Sequence, residues 1–235
     1  MVFQDDPDDF GQSLALRLKR KDPSGEAVSL SLLGYLYGDM GCWLQAAECF
    51  RQVADIGAAL QDPATEGRAR SNLGATLIWL KDYGRARHEL ERAISCDKAL
   101  GDSAQPWKTW AILHDLEREV GEPEAAMWAY VRARAAFLAY RGQGGESHRI
   151  GASLALVGQG LRDGDTGHVA YILDQLRQAD GEPDGMQLLV EKLQAVAAGA
   201  RDLALADDPA LSYADAVELQ ILLEQLTINN EQEEM

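Results

Sequence analysis

The sequence predicts an all-α protein, a solenoid of antiparallel helix pairs followed by extra C-terminal helices. Two observations lead to this prediction. Similar residues recur at steps of forty along residues 27–141, as in proteins built from repeated supersecondary units. Within each step, apolar residues are spaced by three and four, which is the period of an α-helix. No segment shows the convincing alternation of apolar and polar residues that a half-buried strand requires.

Four columns of apolar or small residues keep one register through the repeats. They are Leu33, Leu73 and Leu113; Ala46, Ala86 and Ala126; Phe50, Leu90 and Tyr130; and Val53, Ala93 and Ala133. Residues 60–62 and 100–102 match in the same register. Each unit is therefore predicted to contain two helices, with breaks between them at 38–41, 81–84 and 121–123.

These columns resemble the tetratricopeptide repeat. Leu-Gly occurs at 33–34 and 73–74, an alanine follows twelve residues after the glycine, a bulky residue four later and a small residue three after that. The family repeat has about 34 residues, and the longer unit is similar to repeats of kinesin light chain and of bacterial signalling ATPases. The resemblance implies a right-handed superhelix with a concave groove for a partner. His114 departs from the pattern, because the family has glycine there.

The breaks predict the organisation of the whole chain. An acidic segment over 1–26, with a short helix over 10–21, precedes three tetratricopeptide units at about 27–62, 63–102 and 103–141. After these units the sequence predicts a degenerate fourth repeat at 142–181, C-terminal capping helices at 182–228 and an acidic tail at 229–235.

A second resemblance covers the C-terminal part. Segments 106–110, 136–141 and 200–209 are similar to the C-terminal repeat region of bacterial signal-transduction NTPases. The chain has no G-x-x-x-x-G-K-[ST] loop, so the NTPase itself is not expected in it. This resemblance implies a stand-alone relative or the sensor part of a larger signalling protein.

Composition excludes several classes of function. With 22 Lys and Arg against 38 Asp and Glu, the net charge is −16, which disfavours binding to nucleic acid or to an anionic membrane. The apolar runs are too short for a membrane span. The three cysteines show no paired framework of the kind that forms disulfides, and the N-terminus lacks the apolar core of a secretory signal. Both observations predict a cytoplasmic location. No residue pattern indicates a catalytic centre, a metal site or a cofactor.

The family register assigns the concave groove to the first helix of each repeat. The groove-facing residues with the clearest binding chemistry are Tyr35, Arg68, Asn72, Trp79, Lys108 and Asp115.

Each of these residue types suits a different part of a peptide. The amide of Asn72 can both donate to and accept from a peptide backbone. Arg68 and Lys108 share one repeat position and can receive a carboxylate, although an ordinary solvated face explains them equally well. Tyr35 and Trp79 offer aromatic anchors, with packing between repeats as the alternative for Trp79.

The sequence therefore predicts a non-catalytic interaction module that binds a protein or peptide segment in a concave groove. Two alternatives stay open: a regulatory sensor module that controls a separate bacterial NTPase or protease, and a self-assembling structural adaptor. The acidic surface also suits a basic partner, whose arrival it would speed. The oligomeric state is not predicted.

Overall fold

The computed structural model describes residues 22–100, 105–178 and 183–233, and these residues form helices joined by turns. No strand occurs in these ranges, so the all-α prediction is confirmed for them. The helices are α1 (Pro23–Asp39), α2 (Trp43–Ala59), α3 (Pro63–Trp79), α4 (Tyr83–Leu100), α5 (Pro106–Val120), α6 (Pro123–Gly142), α7 (Gly151–Arg162), α8 (Thr166–Gln178), α9 (Pro183–Ala197) and α10 (Tyr213–Glu233). A 3₁₀ helix spans Leu203–Asp207. The helix predicted over 10–21 lies outside the described residues.

Proline and aspartate mark where α1 and α3 begin. A proline opens each of these helices, where the missing N–H costs no hydrogen bond. Asp22 accepts a hydrogen bond from the Gly25 N–H at 3.0 Å, and Asp62 accepts one from the Ala64 N–H at 3.0 Å. Both helix starts therefore follow from local sequence.

One turn geometry recurs at steps of forty. The N–H groups of Cys42, Asp82 and Glu122 donate to the carbonyls of Tyr37, Leu77 and Glu117, respectively. The residue before each donor has a positive φ: 72° at Gly41, 59° at Lys81 and 85° at Gly121. Lys81 thus holds a conformation that favours glycine. The second turn is shorter than the predicted break, because Tyr83 already begins α4.

The chain divides into two compact units, Met1–Ala133 and Arg134–Met235. The division falls inside α6, whereas the sequence placed the end of the third repeat at 141. The last part of α6 belongs to the second unit, where Arg134 donates to Asp207 at 2.7 Å.

The first unit packs its helices in chain order. Each of α1 to α4 contacts the next helix, α1 also contacts α3, and α3 contacts α5. No residue of the four repeat columns is more than 6% exposed. The columns read from the sequence are therefore core positions.

Two glycines allow the first helices of the pairs to approach the bulky column. A Cβ atom at Gly34 would lie 2.7 Å from Cε1 of Phe50, and one at Gly74 would lie 2.6 Å from Cγ of Leu90. His114 fills the corresponding place in the third repeat. Its Nδ1 lies 2.9 Å from the Ala126 carbonyl oxygen. Only a hydrogen fits at the two glycines, whereas the imidazole bonds to α6.

The second unit has its own core. Helix α7 contacts α8 and α10, and α9 contacts α8 and α10. Helices α7 and α8 lie within the segment 142–181, where the sequence predicted a degenerate fourth repeat. Helix α10 continues to Glu233, so the backbone of the predicted acidic tail is helical through that residue; no proline or glycine follows Leu226 to stop it. Across the described residues, no helix combines the length and apolarity needed to cross a membrane.

Candidate binding groove

A groove of about 330 Å³ lies between α1 and α3 in the first unit. Its α1 wall contains Val28, Leu32 and Tyr35, which are 55%, 45% and 51% exposed. Their spacing of four and three places them on one face of the helix. Exposed apolar side chains that lie together in this way are typical of an interaction surface.

The α3 wall contributes Arg68 and Asn72. Asn72 Nδ2 donates a hydrogen bond to the Tyr35 hydroxyl at 2.8 Å, which joins the two walls. An amide has a second N–H and an acceptor oxygen. Asn72 can therefore engage a bound peptide without losing its contact with Tyr35.

The charge of Arg68 faces this groove without an ion-pair partner. Its Nε donates a long hydrogen bond, 3.4 Å, to the Ala64 carbonyl, and no carboxylate of the described residues forms an ion pair with it. Asp62 also lines the groove, but it caps α3 and accepts a hydrogen bond from the Thr65 hydroxyl at 2.6 Å. That bond, helped by the nearby charge of Arg68, lowers the pKa of Asp62. The guanidinium therefore remains available to an acidic group of a ligand.

Three of the six predicted residues meet in this groove: Tyr35, Arg68 and Asn72. Lys108 and Asp115 are exposed on α5 and do not line it.

Trp79, also predicted for this surface, does not line the groove. Its ring stacks on Trp43, with centroids 5.0 Å apart and planes 4° from parallel. Trp79 ends α3, eleven residues beyond Arg68, and there it meets the first residue of α2. This stack is a contact between the first two predicted repeats, but 67% of Trp79 stays exposed, so a role of this residue in binding stays a prediction.

Ion pairs within and between helices, each with one buried member, were not predicted. Arg70 is 4% exposed and contacts Glu66 at 2.8 Å and Glu89 at 2.6 Å. Arg87 donates to both carboxylate oxygens of Glu117, at 2.7 and 2.6 Å. The sequence did contain a sign that Arg70 is paired. This charged residue lies forty residues after Leu30, which is apolar and buried, and so takes an otherwise apolar repeat position. These pairs hold helices together and lie outside the groove.

A further polar cluster lies in the second unit. Glu218 is buried and accepts hydrogen bonds from the His148 N–H at 2.7 Å and from Arg141 Nη2 at 3.2 Å. Arg141 also donates to the Gly145 carbonyl at 2.6 Å. The cluster fixes the segment between α6 and α7, and its hydrogen bonds give it a structural role.

Comparison with protein-family models and with curated proteins found no match. Within the described ranges, no three His, Cys, Asp or Glu side chains converge as ligands of a metal ion. The geometry of the α1–α3 groove therefore carries the functional inference.

Proposed function

We propose that the first unit is a tetratricopeptide solenoid of antiparallel helix pairs, and that its α1–α3 groove binds a peptide segment of a partner protein without catalysis. The buried forty-residue columns and the recurring turn support the proposed architecture. One observation carries the proposed function. Across the groove, an exposed apolar stripe faces the Arg68 guanidinium, which forms no ion pair with a carboxylate of the described residues, and the Asn72 amide, which has further hydrogen-bonding capacity.

The groove offers a different interaction to each part of a peptide. Apolar side chains of the ligand would cover Val28, Leu32 and Tyr35 and remove them from water. The Asn72 amide would bond to the peptide backbone, and Arg68 would bond to a carboxylate. A hydrogen bond to a charged group contributes about 1.5–3 kcal/mol, so Arg68 fixes the direction of the ligand as well as adding affinity.

Selection from a displayed peptide library tests the proposal. Peptides would be selected on the wild-type chain, and their affinities measured by isothermal titration calorimetry. We expect Arg68→Ala to weaken binding about tenfold or more, because it removes a charge-assisted hydrogen bond. Lys108→Ala is the matched control: it removes a cation at the same repeat position, exposed but outside the groove.

Circular dichroism would verify that each variant stays folded. Peptides that bind wild type and an Arg68→Ala, Asn72→Ala double variant equally would show that the groove is not the binding site. An equal loss of affinity in Lys108→Ala would show that general charge, rather than the groove, drives binding.

A further inference from the structure

The stacked rings of Trp43 and Trp79 form an exposed aromatic surface, here called the indole platform. Trp79 is 67% exposed although one face of its ring lies against Trp43. The opposite face is therefore open to solvent. Met40 and Leu44, which flank Trp43 in sequence, are 58% and 72% exposed. The platform is separate from the α1–α3 groove, since neither tryptophan lines that groove.

Another tryptophan of the same unit shows how this chain covers an exposed indole. The guanidinium carbon of Arg132 lies 5.2 Å from the ring centroid of Trp128, within the range of a cation–π contact. No cation of the described residues covers Trp79 in this way. Arg85, six residues after Trp79 in the sequence, forms an ion pair with Asp82. Within the part of the chain that the structure describes, no cation therefore contacts the open face of Trp79, the most exposed indole.

Carboxylates occupy the equivalent position in both neighbouring repeats. Asp39, Trp79 and Glu119 are forty residues apart, and each lies in the last turn of α1, α3 or α5. The stacking of Trp43 on Trp79 brings the start of α2 to the end of α3. Similarly, the Tyr83 hydroxyl donates to Glu119 at 3.3 Å and brings the start of α4 to the end of α5. Helix α3 contacts both α1 and α5, so the helices on either side of it each carry an exposed carboxylate in the last turn.

We propose that the indole platform binds an arginine or lysine side chain of a basic partner segment. Tryptophan is the best aromatic partner for a cation, and the net charge of −16 attracts a basic segment from a distance. A neutral apolar segment would cover the ring. It would also displace water from the carboxylates of Asp39 and Glu119 without offering them hydrogen bonds in return. A second copy of this chain carries the same negative charge and is repelled.

Nuclear magnetic resonance of the full chain tests the proposal with a tetra-arginine peptide as the probe. The chain has five tryptophans, and each carries one indole N–H that can report on binding. We expect the Trp79 and Trp43 signals to shift saturably and the shift to weaken at high salt, because the attraction is electrostatic. The Trp128 signal should stay in place, because Arg132 already covers that ring.

Variants separate the aromatic and the charged contributions. Trp79→Leu keeps an apolar side chain but removes the π face, and should weaken binding about five- to tenfold. Trp128→Leu is the matched control and should change nothing. Asp39→Asn combined with Glu119→Gln should weaken binding and reduce its salt dependence.

Several outcomes would overturn the proposal: no shift, equal shifts at all five indoles, or the same response to tetra-alanine as to tetra-arginine. A spectrum that changes with protein concentration alone would show that a second copy covers the platform instead. Arg68→Ala should leave the titration unchanged, so failure of the groove and failure of the platform are distinguishable.

Discussion

Replacing Gly74 by alanine tests the close contact between α3 and α4. The new Cβ would lie 2.6 Å from Cγ and 2.7 Å from Cδ2 of Leu90. Carbon atoms in favourable contact are about 3.5–4.0 Å apart, so the overlap is close to 1 Å. Leu90 is fully buried and cannot turn into solvent. Overpacking of this kind costs about 1–3 kcal/mol, while alanine gains about 1 kcal/mol in helix propensity. We expect a net loss of up to about 2 kcal/mol.

Urea unfolding followed by tryptophan fluorescence measures this loss. All five tryptophans belong to the unit Met1–Ala133, so their emission reports the unfolding of that unit. Gly84→Ala is the matched control, because a Cβ there meets no atom within 4 Å. It should stabilise the unit by about 0.5–1 kcal/mol.

A double-mutant cycle identifies the contact itself. In a Leu90→Ala background the clashing side chain is gone, so Gly74→Ala should no longer destabilise the unit. The reasoning is refuted if Gly74→Ala is at least as stable as wild type, or if its cost is unchanged when Leu90 is alanine.

Three further substitutions test other features of the first unit by the same fluorescence assay. Lys81→Gly should raise the free energy of unfolding by about 0.5–1 kcal/mol, because φ at this position is 59°; no gain would argue against a strained turn. Glu117→Gln should lower it by about 1–3 kcal/mol, because it breaks the two-bond contact with Arg87; an unchanged urea midpoint would contradict this. Burial raises the pKa of Asp97, which also bonds to Thr109, so ionisation of this carboxyl opposes folding. Asp97→Asn should therefore stabilise the unit at pH 7 and lose this advantage well below the pKa of an unfolded carboxyl; a gain of the same size at acidic pH would refute it.

The helices and the buried columns of the first unit could be predicted because their signals are local and periodic. The columns that begin at Leu33 and Ala46 became buried positions, and Gly34 and Gly74 became sites of close helix contact. Each of these positions requires only that its side chain be small or apolar. Because that requirement recurs every forty residues, it can be recognised in the sequence. The partners of Arg70 could not be read in the same way, since they depend on which side chains of neighbouring helices meet.

The candidate site was predictable only where the helix period decides the outcome. Tyr35, Arg68 and Asn72 lie within the middle turns of α1 and α3. The side of the helix on which each of them lies therefore follows from the register of that helix. Trp79 lies at the last residue of its helix, where a neighbouring helix end competes for the side chain. Its stacking on Trp43 is a tertiary contact, and the helix register alone does not predict which residue of another helix end it meets.

The hydrogen bond between Asn72 and Tyr35 preorganises the groove. Because the phenol already holds the amide, a ligand meets an Asn72 side chain whose rotamer is fixed before binding. Ordering a free side chain on association costs about 0.5–1.5 kcal/mol, and here folding has already met that cost. In the proposed complex the hydroxyl of Tyr35 would act through Asn72, and loss of that single oxygen in Tyr35→Phe would appear as a less favourable entropy of binding.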